Sequence, residues 1–479
     1  MAEPKFKVAI CGGGIAGLTL AIALNRYTPP HSHIQVDIYE ADPEVRTVGA
    51  GITVWPRTWG VMQHLGLRED LLQVTVQASR TPVSDIHTDE YRPAFVARKA
   101  NQPGEGHTYA RVDAPAGSTT MHRRDMIDVF LRHIPPSYTF HTSKRLVRYT
   151  EAVTDSTPGD PVILHFSDGT SAEADVLVGA DGIHSTIRMH MYEGAHSQEC
   201  TSSTPEDVLS YQQCARCSAA IPKWTGVCSY RYLIPTEKLY SRNPEHTTAS
   251  IGAILCYSGK DNHIVIYQIS GGKFLNFVAI CRTPGGEGTP YPGKWVAEVS
   301  RDEILSKFLE WEPEVQQMLE YVDKPSRWAI HALDCLPFAV SSSGQVALLG
   351  DAMHAMSPNF GAGGGQAIED AYILGRLLAD PYVSLAHIPA ALHIYERVRL
   401  PFANDILRRG REVGLMYEFN ALGYYDGSAT TEEKERAQLN ALGEAIRKMW
   451  QWQWTESVDS LWMQAEGELE TLVQQGGVM

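Results

Sequence analysis

The first forty residues alternate between apolar and glycine-rich stretches in an order that predicts a strand, a helix and a second strand. Residues 7–11 form a short apolar run typical of a buried strand, and residues 18–24 continue as an apolar helical stretch after a group of glycines. Residues 34–39 alternate apolar and polar side chains, as a half-buried strand does, and end at Glu40. This order predicts a βαβ unit of the nucleotide-binding kind.

Farther along the chain, the spacing of apolar residues predicts a second sheet and then a helical segment. The predicted strands are residues 162–166, 174–178, 251–257, 263–269, 274–280 and 346–349. Turns at Asp168-Gly169 and Gly271-Gly272 predict two hairpins, and residues 346–349 predict a return to the first domain. The predicted helices are residues 366–380, 388–400 and most of 402–475.

Length and charge limit the class of protein. A chain of 479 residues is too long for one ordinary core and predicts two domains with an appendage. The formal net charge of −15 argues against a nucleic-acid partner, and no run of about 20 apolar residues predicts a membrane span. Because a glycine loop begins at residue 12, we expect no signal peptide and a cytoplasmic location.

Eight cysteines include one close pair, Cys214 and Cys217. A zinc site would need a second pair of cysteines or histidines, and none follows this pair at a useful spacing. We therefore expect free thiols and no metal site.

Glycines at positions 12, 14 and 17 directly follow the first predicted strand. The first permits a tight turn, the second lets a pyrophosphate approach the backbone, and the third packs the helix on the strand. Glu40 can accept hydrogen bonds from an adenosine ribose that lacks a 2′-phosphate. Strand, helix and acid occur in the expected order, so a glycine turn without a ligand is the weaker interpretation.

Two later segments predict that one long dinucleotide, such as FAD, is held at several points. Residues 175–182 end in Asp181-Gly182, and Gly350-Asp351 follows the strand at 346–349. Asp351 suits a polyol such as ribitol, although a turn or capping aspartate is the alternative. The glycine-rich loop at residues 356–365 then feeds a helix, whose N–H groups could hold the pyrimidine edge of a flavin. Arg123 and Arg124 precede another helix, and either could pair with a pyrophosphate.

These motifs resemble, in order, those of the FAD-dependent aromatic hydroxylases, the single-component flavin monooxygenases that include salicylate hydroxylases. The resemblance spans about residues 5–400 and includes residues 49–52, 121–123 and 179–182 besides the segments above. It implies an α/β fold, in which a Rossmann-like FAD-binding domain carries an inserted antiparallel β-sheet substrate domain and a helical C-terminal segment. The implied boundaries are 1–80, 109–190 and 326–401 for the FAD-binding domain, 81–108 and 191–325 for the substrate domain, and 402–479 for the helical segment.

The resemblance also implies roles for individual residues. Glu40 would bind the adenosine ribose, Arg123 the FAD, Asp351 the ribitol, and the loop through Gly364 the isoalloxazine ring. Asp181 would contact FAD and the transiently docked NAD(P)H, and Pro358 would line the reactive face of the flavin. The predicted cofactor residues are Gly12, Gly14, Ala16, Gly17, Glu40, Gly49, Ala50, Gly51, Arg123, Asp181, Gly350, Asp351, Gly361, Gly363 and Gly364.

The implied reaction is hydroxylation of a small phenolic or hydroxybenzoate-type compound with NAD(P)H and O₂, through a flavin C4a-hydroperoxide. Arg231 is expected to hold a substrate carboxylate or phenolate, and Tyr267 or His263, which share a strand face, would help to deprotonate it. His331 and Trp55 are weaker candidates. Whether hydroxylation is accompanied by decarboxylation stays open, as does a place in secondary metabolism.

Other interpretations remain. A Baeyer–Villiger monooxygenase would need a second Gly-x-Gly-x-x-Gly after a strand, and the chain has none. A flavin-dependent epoxidase of an olefinic intermediate and a non-catalytic flavin redox sensor are the alternatives to the hydroxylase. The C-terminal tryptophans predict a helical cover or a homodimer face; they are Trp450, Trp452, Trp454 and Trp462.

Overall fold

The computed structural model describes residues 3–45, 51–77, 90–151, 160–200 and 212–474. Gly49 and Ala50, two of the predicted cofactor residues, lie outside these ranges. The strands are β1 (Lys7–Cys11), β2 (Gln35–Tyr39), β3 (Gly51–Val54), β4 (Tyr91–Lys99), β5 (His107–Pro115), β6 (Thr119–His122), β7 (Thr139–His141), β8 (Leu146–Thr150), β9 (Val162–Phe166), β10 (Ser171–Ala174), β11 (Val176–Gly179), β12 (Lys223–Pro235), β13 (Ile254–Gly259), β14 (Asn262–Ile269), β15 (Phe274–Glu287), β16 (Val296–Glu298), β17 (Ser326–Ala332) and β18 (Val346–Leu348).

Helices pack around these strands and form most of the last hundred residues. They are α1 (Ile15–Tyr27), α2 (Pro56–His64), α3 (Arg68–Gln73), α4 (Arg123–Arg132), α5 (Thr186–Ala195), α6 (Thr236–Arg242), α7 (Thr247–Ser250), α8 (Arg301–Leu305), α9 (Pro313–Leu319), α10 (Asp351–His354), α11 (Gly363–Ala379), α12 (Ile388–Tyr417), α13 (Glu432–Trp450), α14 (Trp452–Thr455) and α15 (Val458–Gln474). In the described part of the chain, no helix combines the length and the apolar character that crossing a membrane requires.

The predicted βαβ unit forms the centre of a five-stranded parallel sheet. Its strand order is β18-β11-β1-β2-β7, and β1 pairs in parallel with both β2 and β11. All four apolar residues of β1 after Lys7 are buried: α1 packs on β1 and is itself covered by α11, and β10 of a three-stranded sheet, β10-β9-β8, also contacts β1. Parallel strands that are covered by helices read as continuous apolar runs, which is why this unit was predictable from the sequence.

The hairpin predicted from residues 162–166 to 174–178 divides between two sheets. β9 pairs antiparallel with β10, which ends at Ala174, whereas β11 joins the parallel sheet beside β1. Asp175 makes the transition: its backbone N–H donates to Lys7 O at 2.9 Å, and its carboxylate accepts from Lys7 N at 2.7 Å. The apolar pattern therefore placed β9 correctly, but the predicted strand at 174–178 spans the end of β10 and most of β11, and the hairpin partner of β9 is β10.

The second sheet has eight strands in the order β16-β17-β12-β15-β14-β13-β4-β5. Its pairs are antiparallel except β13 with β4, which are parallel. The hairpin predicted at Gly271-Gly272 joins β14 to β15, and both glycines have positive φ. The sheet reaches Pro115 and Ala332, so it includes residues beyond the predicted boundaries at 108 and 325.

A single helix, α12, crosses the predicted domain boundary at residue 401. Pro401 lies inside this helix and not at its end. A proline removes one backbone hydrogen bond and normally ends or kinks a helix. The helix nevertheless continues past Pro401. Near this point it buries the Arg399 side chain, and it packs against α11. The following helices pack on α2, α11, α12 and β5, as the predicted helical cover requires.

Candidate active site

A cleft of about 430 Å³ lies between the glycine loops and one face of the eight-stranded sheet. Residues at every second position of β14 and β15 line it, because alternate side chains of a strand point to the same face. The lining residues from this sheet are Phe95, Arg231, Ile254, Val265, Tyr267, Asn276, Val278 and Ile280. The other wall consists of Gly14–Ala16, Gly51–Thr53, Arg123, Ala180, Gly182, Asp351, Met356–Gly364, Ala367 and Trp450.

The first glycine loop has the geometry that its spacing predicts. Gly12 has φ of +115°, and a Cβ at this position would lie 2.2 Å from the carbonyl oxygen of Ala180. A Cβ on Gly17 would lie 2.0 Å from Gly12 O, so helix and loop touch backbone to backbone. Among the described residues, no atom apart from its own chain neighbours and helix backbone lies within 4 Å of a Cβ built on Gly14. The loop is therefore packed on two sides and open on the third, where a pyrophosphate could approach α1.

Two predicted acids follow parallel strands beside this loop, and Glu40 bonds the loop directly. The Glu40 carboxylate accepts from Gly13 N at 2.8 Å and from Asp42 N at 3.0 Å. Asp181 accepts from Thr186 N at 2.8 Å and thus caps α5, while its second carboxylate oxygen is buried without a hydrogen-bond partner among the described residues. Burial raises the pKa of Asp181 above its ordinary value.

Gly350 and Asp351 form a tight turn at the end of β18. Gly350 has φ of +60°, and a Cβ here would lie 3.0 Å from the Cβ of Ala16 and 3.2 Å from that of Ala367. Only glycine fits this combination of backbone angle and close packing. Asp351 begins α10 and is exposed to the cleft, so its carboxylate is available to a ligand.

The second glycine loop, residues 356–365, leads into α11 along the floor of the cleft. Pro358 starts a 3₁₀ turn that ends at Gly361, which has φ of +61°. Within the ranges that the structure describes, no side chain caps the N-terminus of α11, and the first turn of this helix contains no acidic residue. The free N–H groups at Gly363 and Gly364 therefore point their partial positive charge toward the cleft.

A fully buried network of charged residues holds this loop in place. Asp370 accepts from Gly350 N at 3.0 Å, His354 Nε2 lies 2.6 Å from it, and Arg399 Nε donates to it at 2.8 Å. Glu369 accepts from both Arg57 and Arg399. Since α11, α12, α2 and α10 each contribute to the network, it fixes the Gly350 turn relative to the start of α11.

The structure distinguishes the two candidate arginines. Arg123 lines the cleft and forms no hydrogen bond or ion pair with any residue that the structure describes. The Arg124 side chain is 61% exposed and lies 3.8 Å from Asp128 on the surface of α4. Arg123 is thus the cation that a phosphate in the cleft could reach.

The substrate-facing wall places a cation beside a phenol. The guanidinium of Arg231 donates to Ser229 Oγ at 3.2 Å and lies 4.9 Å from the ring of Trp328. Burial raises the pKa of Tyr267 to about 12, although the nearby charge of Arg231 opposes this shift. The Tyr267 hydroxyl therefore stays protonated at neutral pH and can donate a hydrogen bond. It would have to lose its proton first in order to act as a base. A Cβ on Gly51 would lie 2.6 Å from the Tyr267 hydroxyl oxygen, so a larger residue at position 51 would displace the Tyr267 ring.

His263 is not part of the cleft. It shares a strand face with Tyr267, as predicted, but four residues along a strand separate them by about 13 Å. The end of α12 covers the His263 ring, which is fully buried, 3.4 Å from Glu418 and against Tyr417. The weaker candidates also have structural contacts: His331 stacks on Trp295, and Trp55 donates to Phe360 O at 3.1 Å.

Asn276 and Trp450 are among the lining residues that were not predicted from the sequence. Asn276 faces the cleft from β15, where period-two alternation from Val278 could have indicated it. Trp450 reaches the cleft from the end of α13, stacks on Phe95 with ring centroids 4.7 Å apart, and donates to Tyr417 OH at 2.8 Å. The helical cover thus supplies part of the cleft wall.

These features define a flavoprotein: two glycine loops, an uncapped helix start, the Asp351 carboxylate and the free Arg123 guanidinium surround one cleft that fits FAD. A family model described as an FAD binding domain matches residues 5–232 and 298–410. The chain belongs to the FAD-dependent aromatic hydroxylases, the family that includes salicylate hydroxylases, and it is a monooxygenase.

Named relatives share nearly the full length of the chain. A salicylate hydroxylase of Pseudomonas putida is 31% identical over 469 residues, which are 97% of this chain and 95% of that protein. A 6-methylsalicylate 1-monooxygenase of Aspergillus terreus is 30% identical over 430 residues, 89% of this chain and 86% of that protein. A solved salicylate hydroxylase substrate complex has a TM-score of 0.73 and 28% identity, covering 96% of this chain and 98% of its own.

Replacing Asp351 with alanine should weaken FAD binding about 10- to 150-fold. We expect this loss because a hydrogen bond to a charged group contributes about 1.5–3 kcal/mol, and the exposed carboxylate at the cleft would accept from FAD hydroxyls. Flavin fluorescence titration of the apoprotein measures the dissociation constant. Asp128→Ala, which removes a surface carboxylate on α4, is the control and should leave the constant unchanged. Equal affinities for both variants would contradict the assignment of Asp351.

Proposed function

We propose that this monooxygenase hydroxylates a small phenolic acid of the hydroxybenzoate type, with NADH or NADPH as the electron donor and O₂ as the oxidant. The observation that carries the proposal is the placement of Arg231 beside Tyr267 on a mostly apolar wall, which faces the second glycine loop. A substrate with a carboxylate and an adjacent ring hydroxyl would offer an anion to Arg231 and a polar group to Tyr267.

Each residue type in the cleft has a distinct task in this proposal. Arg231 would bind the substrate carboxylate and, by its charge, favour the phenolate that hydroxylation requires. Tyr267 would donate a hydrogen bond to the substrate oxygen and so fix the orientation of the ring. Phe95, Val265 and Trp450 would exclude water from the reacting face. FAD, when bound, supplies the activation of oxygen.

The two relatives named for salicylate and 6-methylsalicylate support a substrate that carries both a carboxylate and a phenol. Loss of the carboxylate as CO₂ during hydroxylation is the form of the reaction that we propose to test, since Arg231 would hold that group beside the flavin site. An epoxidase acting on an apolar olefin would have no use for a half-buried guanidinium in its substrate wall, and a flavin sensor would not need a substrate wall.

The test is the rate of NADH and NADPH oxidation by the purified yellow protein, with salicylate, 6-methylsalicylate, benzoate and phenol added separately. We expect the two phenolic acids to stimulate oxidation and to yield a hydroxylated product by mass spectrometry. Benzoate controls for the missing hydroxyl group, and phenol for the missing carboxylate. Release of ¹³CO₂ from carboxyl-labelled substrate detects decarboxylation. A response to phenol equal to that of the acids would contradict the role of Arg231.

A further inference from the structure

Four side chains of metal-ligating types lie together outside the cleft lining. His196, Cys200, Cys214 and Cys217 form this Cys₃His cluster, and their ligand atoms all lie within 4.8 Å of one another. His196 and Cys217 are buried, and the other two are half-buried. No other group of three or more potential ligands was found at this spacing in the described part of the chain.

The distances in the cluster match a tetrahedral thiolate site. Cys200 Sγ and Cys217 Sγ are 3.8 Å apart. Zinc holds thiolates at about 2.3 Å, so two sulfurs at adjacent corners of its tetrahedron are about 3.8 Å apart. A disulfide would bring the two sulfurs to about 2.05 Å. Three thiolates and one imidazole are also the ligand types that select zinc over calcium or magnesium.

The cluster consists of two ligand pairs, His196 with Cys200 and Cys214 with Cys217, and the backbone of each pair is suited to binding a metal. Cys214 and Cys217 are separated by two residues, the spacing of one half of many structural zinc sites. His196–Cys200 is a π-helical turn that continues directly from α5. Such turns are rare and occur frequently at functional sites. A single turn at the end of α5 thereby delivers both His196 and Cys200 to the other pair.

The cluster lies where the chain passes from the FAD-binding region to the eight-stranded sheet. One side of the cluster is the end of α5, a helix that starts just after the Asp181 loop. The other side is the 3₁₀ turn Cys217–Ala220, which precedes β12. Arg188 of α5 donates to Ala220 O at 2.8 Å, so the two segments already touch. A metal here would cross-link them on both sides of residues 201–213.

We infer that the Cys₃His cluster is a structural zinc site, which fastens the end of α5 to the segment leading into β12. The sequence did not predict a metal site here, because no second ligand pair follows Cys217. The second pair, His196 and Cys200, precedes Cys214, and the fold brings the two halves together. The inference does not depend on the substrate or on the proposed reaction.

The holoprotein, purified without chelators, is expected to contain about one zinc ion per chain by plasma mass spectrometry. Cys214→Ser and Cys217→Ser should each lower the zinc content to less than about one tenth of that value, because three-ligand sites hold structural zinc poorly. Cys335→Ser, which changes a half-buried cysteine outside the cluster, is the matched control and should keep its zinc. Full zinc content in both cluster variants would overturn the inference.

A measurement on the wild-type chain covers the case in which the variants fail to fold. Co²⁺ added to metal-depleted holoprotein should give the thiolate-to-cobalt absorption of a tetrahedral site, and added Zn²⁺ should abolish it. Wild-type protein with neither zinc nor this absorption overturns the inference. Detection of a disulfide among Cys200, Cys214 and Cys217 in freshly purified protein overturns it as well, since a disulfide would replace the ligands.

Discussion

Replacing Arg231 with methionine is expected to lower kcat/KM for a phenolic acid by about 30- to 5,000-fold, while FAD content stays unchanged. Truncating one partner of a buried charge pair costs about 2–5 kcal/mol, mostly because the other charge is left unpaired. Burial lowers the pKa of Arg231, yet an arginine stays charged at neutral pH. Its guanidinium is already oriented by Ser229 and Trp328, so little order is lost when a substrate anion binds.

The measurement compares steady-state product formation for a phenolic acid and for the corresponding neutral phenol. Arg231→Met should reduce the preference for the acid, because only the acid loses a carboxylate interaction, whereas weaker stabilisation of the phenolate affects both compounds. Arg327→Met is the matched control: this arginine lies on the adjacent strand β17, pairs with Glu303 at 2.9 Å and does not line the cleft. Undiminished turnover of the acid by Arg231→Met would refute the proposed substrate class.

The second large effect is expected from Arg399→Met, which should lower the free energy of unfolding by about 3–5 kcal/mol and release FAD. Arg399 is completely buried and donates to Asp370, Glu369 and Gln366. Removing one partner of a buried ion pair leaves an uncompensated charge, which is the expensive case. Since Asp370 also holds Gly350, the turn that presents Asp351 to the cleft should loosen.

Urea denaturation followed by tryptophan and flavin fluorescence measures this effect. Arg397→Met, two residues away, removes a surface pair with Glu468 and should cost less than about 1 kcal/mol. The double variant Arg399→Met with Asp370→Asn should recover part of the loss, because the unpaired carboxylate is gone. A loss in Arg399→Met no greater than in Arg397→Met would show that the network is not stabilising.

The stability that Arg399→Met loses should depend on pH in a definite direction. Burial alone would raise the pKa of Asp370, but His354 and Arg399 hold it below its ordinary value. The stabilisation is therefore present above the ordinary pKa of an aspartate and is lost as the pH falls through the lower, folded-state value. The difference in stability between wild type and Arg399→Met should accordingly shrink on acidification below about pH 4.

The cofactor side of the cleft could be predicted because local spacing encodes it. Gly12, Gly14 and Gly17 are close in sequence, and each has the contact or the open space that its position in the motif implies. Gly350 was found in the same way, since a glycine and an acid after a buried strand form one local turn. Their roles toward FAD stay predictions until the cofactor contacts are measured.

The substrate side depends on contacts that spacing does not encode. Period two gave the correct face for His263, but only the fold shows that the end of α12, at Glu418, covers that part of β14. The pairing of Arg399 with Asp370 joins two helices 29 residues apart. Glu369 and Asp370 form an acidic pair inside the otherwise apolar helix α11. This pair was a signal in the sequence that buried cations would be needed to neutralise it.

The two walls of the cleft have separate origins in the fold, and this separation has an evolutionary consequence. Glycine loops and helix starts around the five-stranded sheet form one wall, whereas alternate side chains of β12, β14 and β15 form most of the other. Single replacements at those alternate positions can change which ring is accepted without disturbing the backbone that surrounds the cofactor. Evolution can therefore vary the substrate wall one residue at a time while the cofactor wall stays the same.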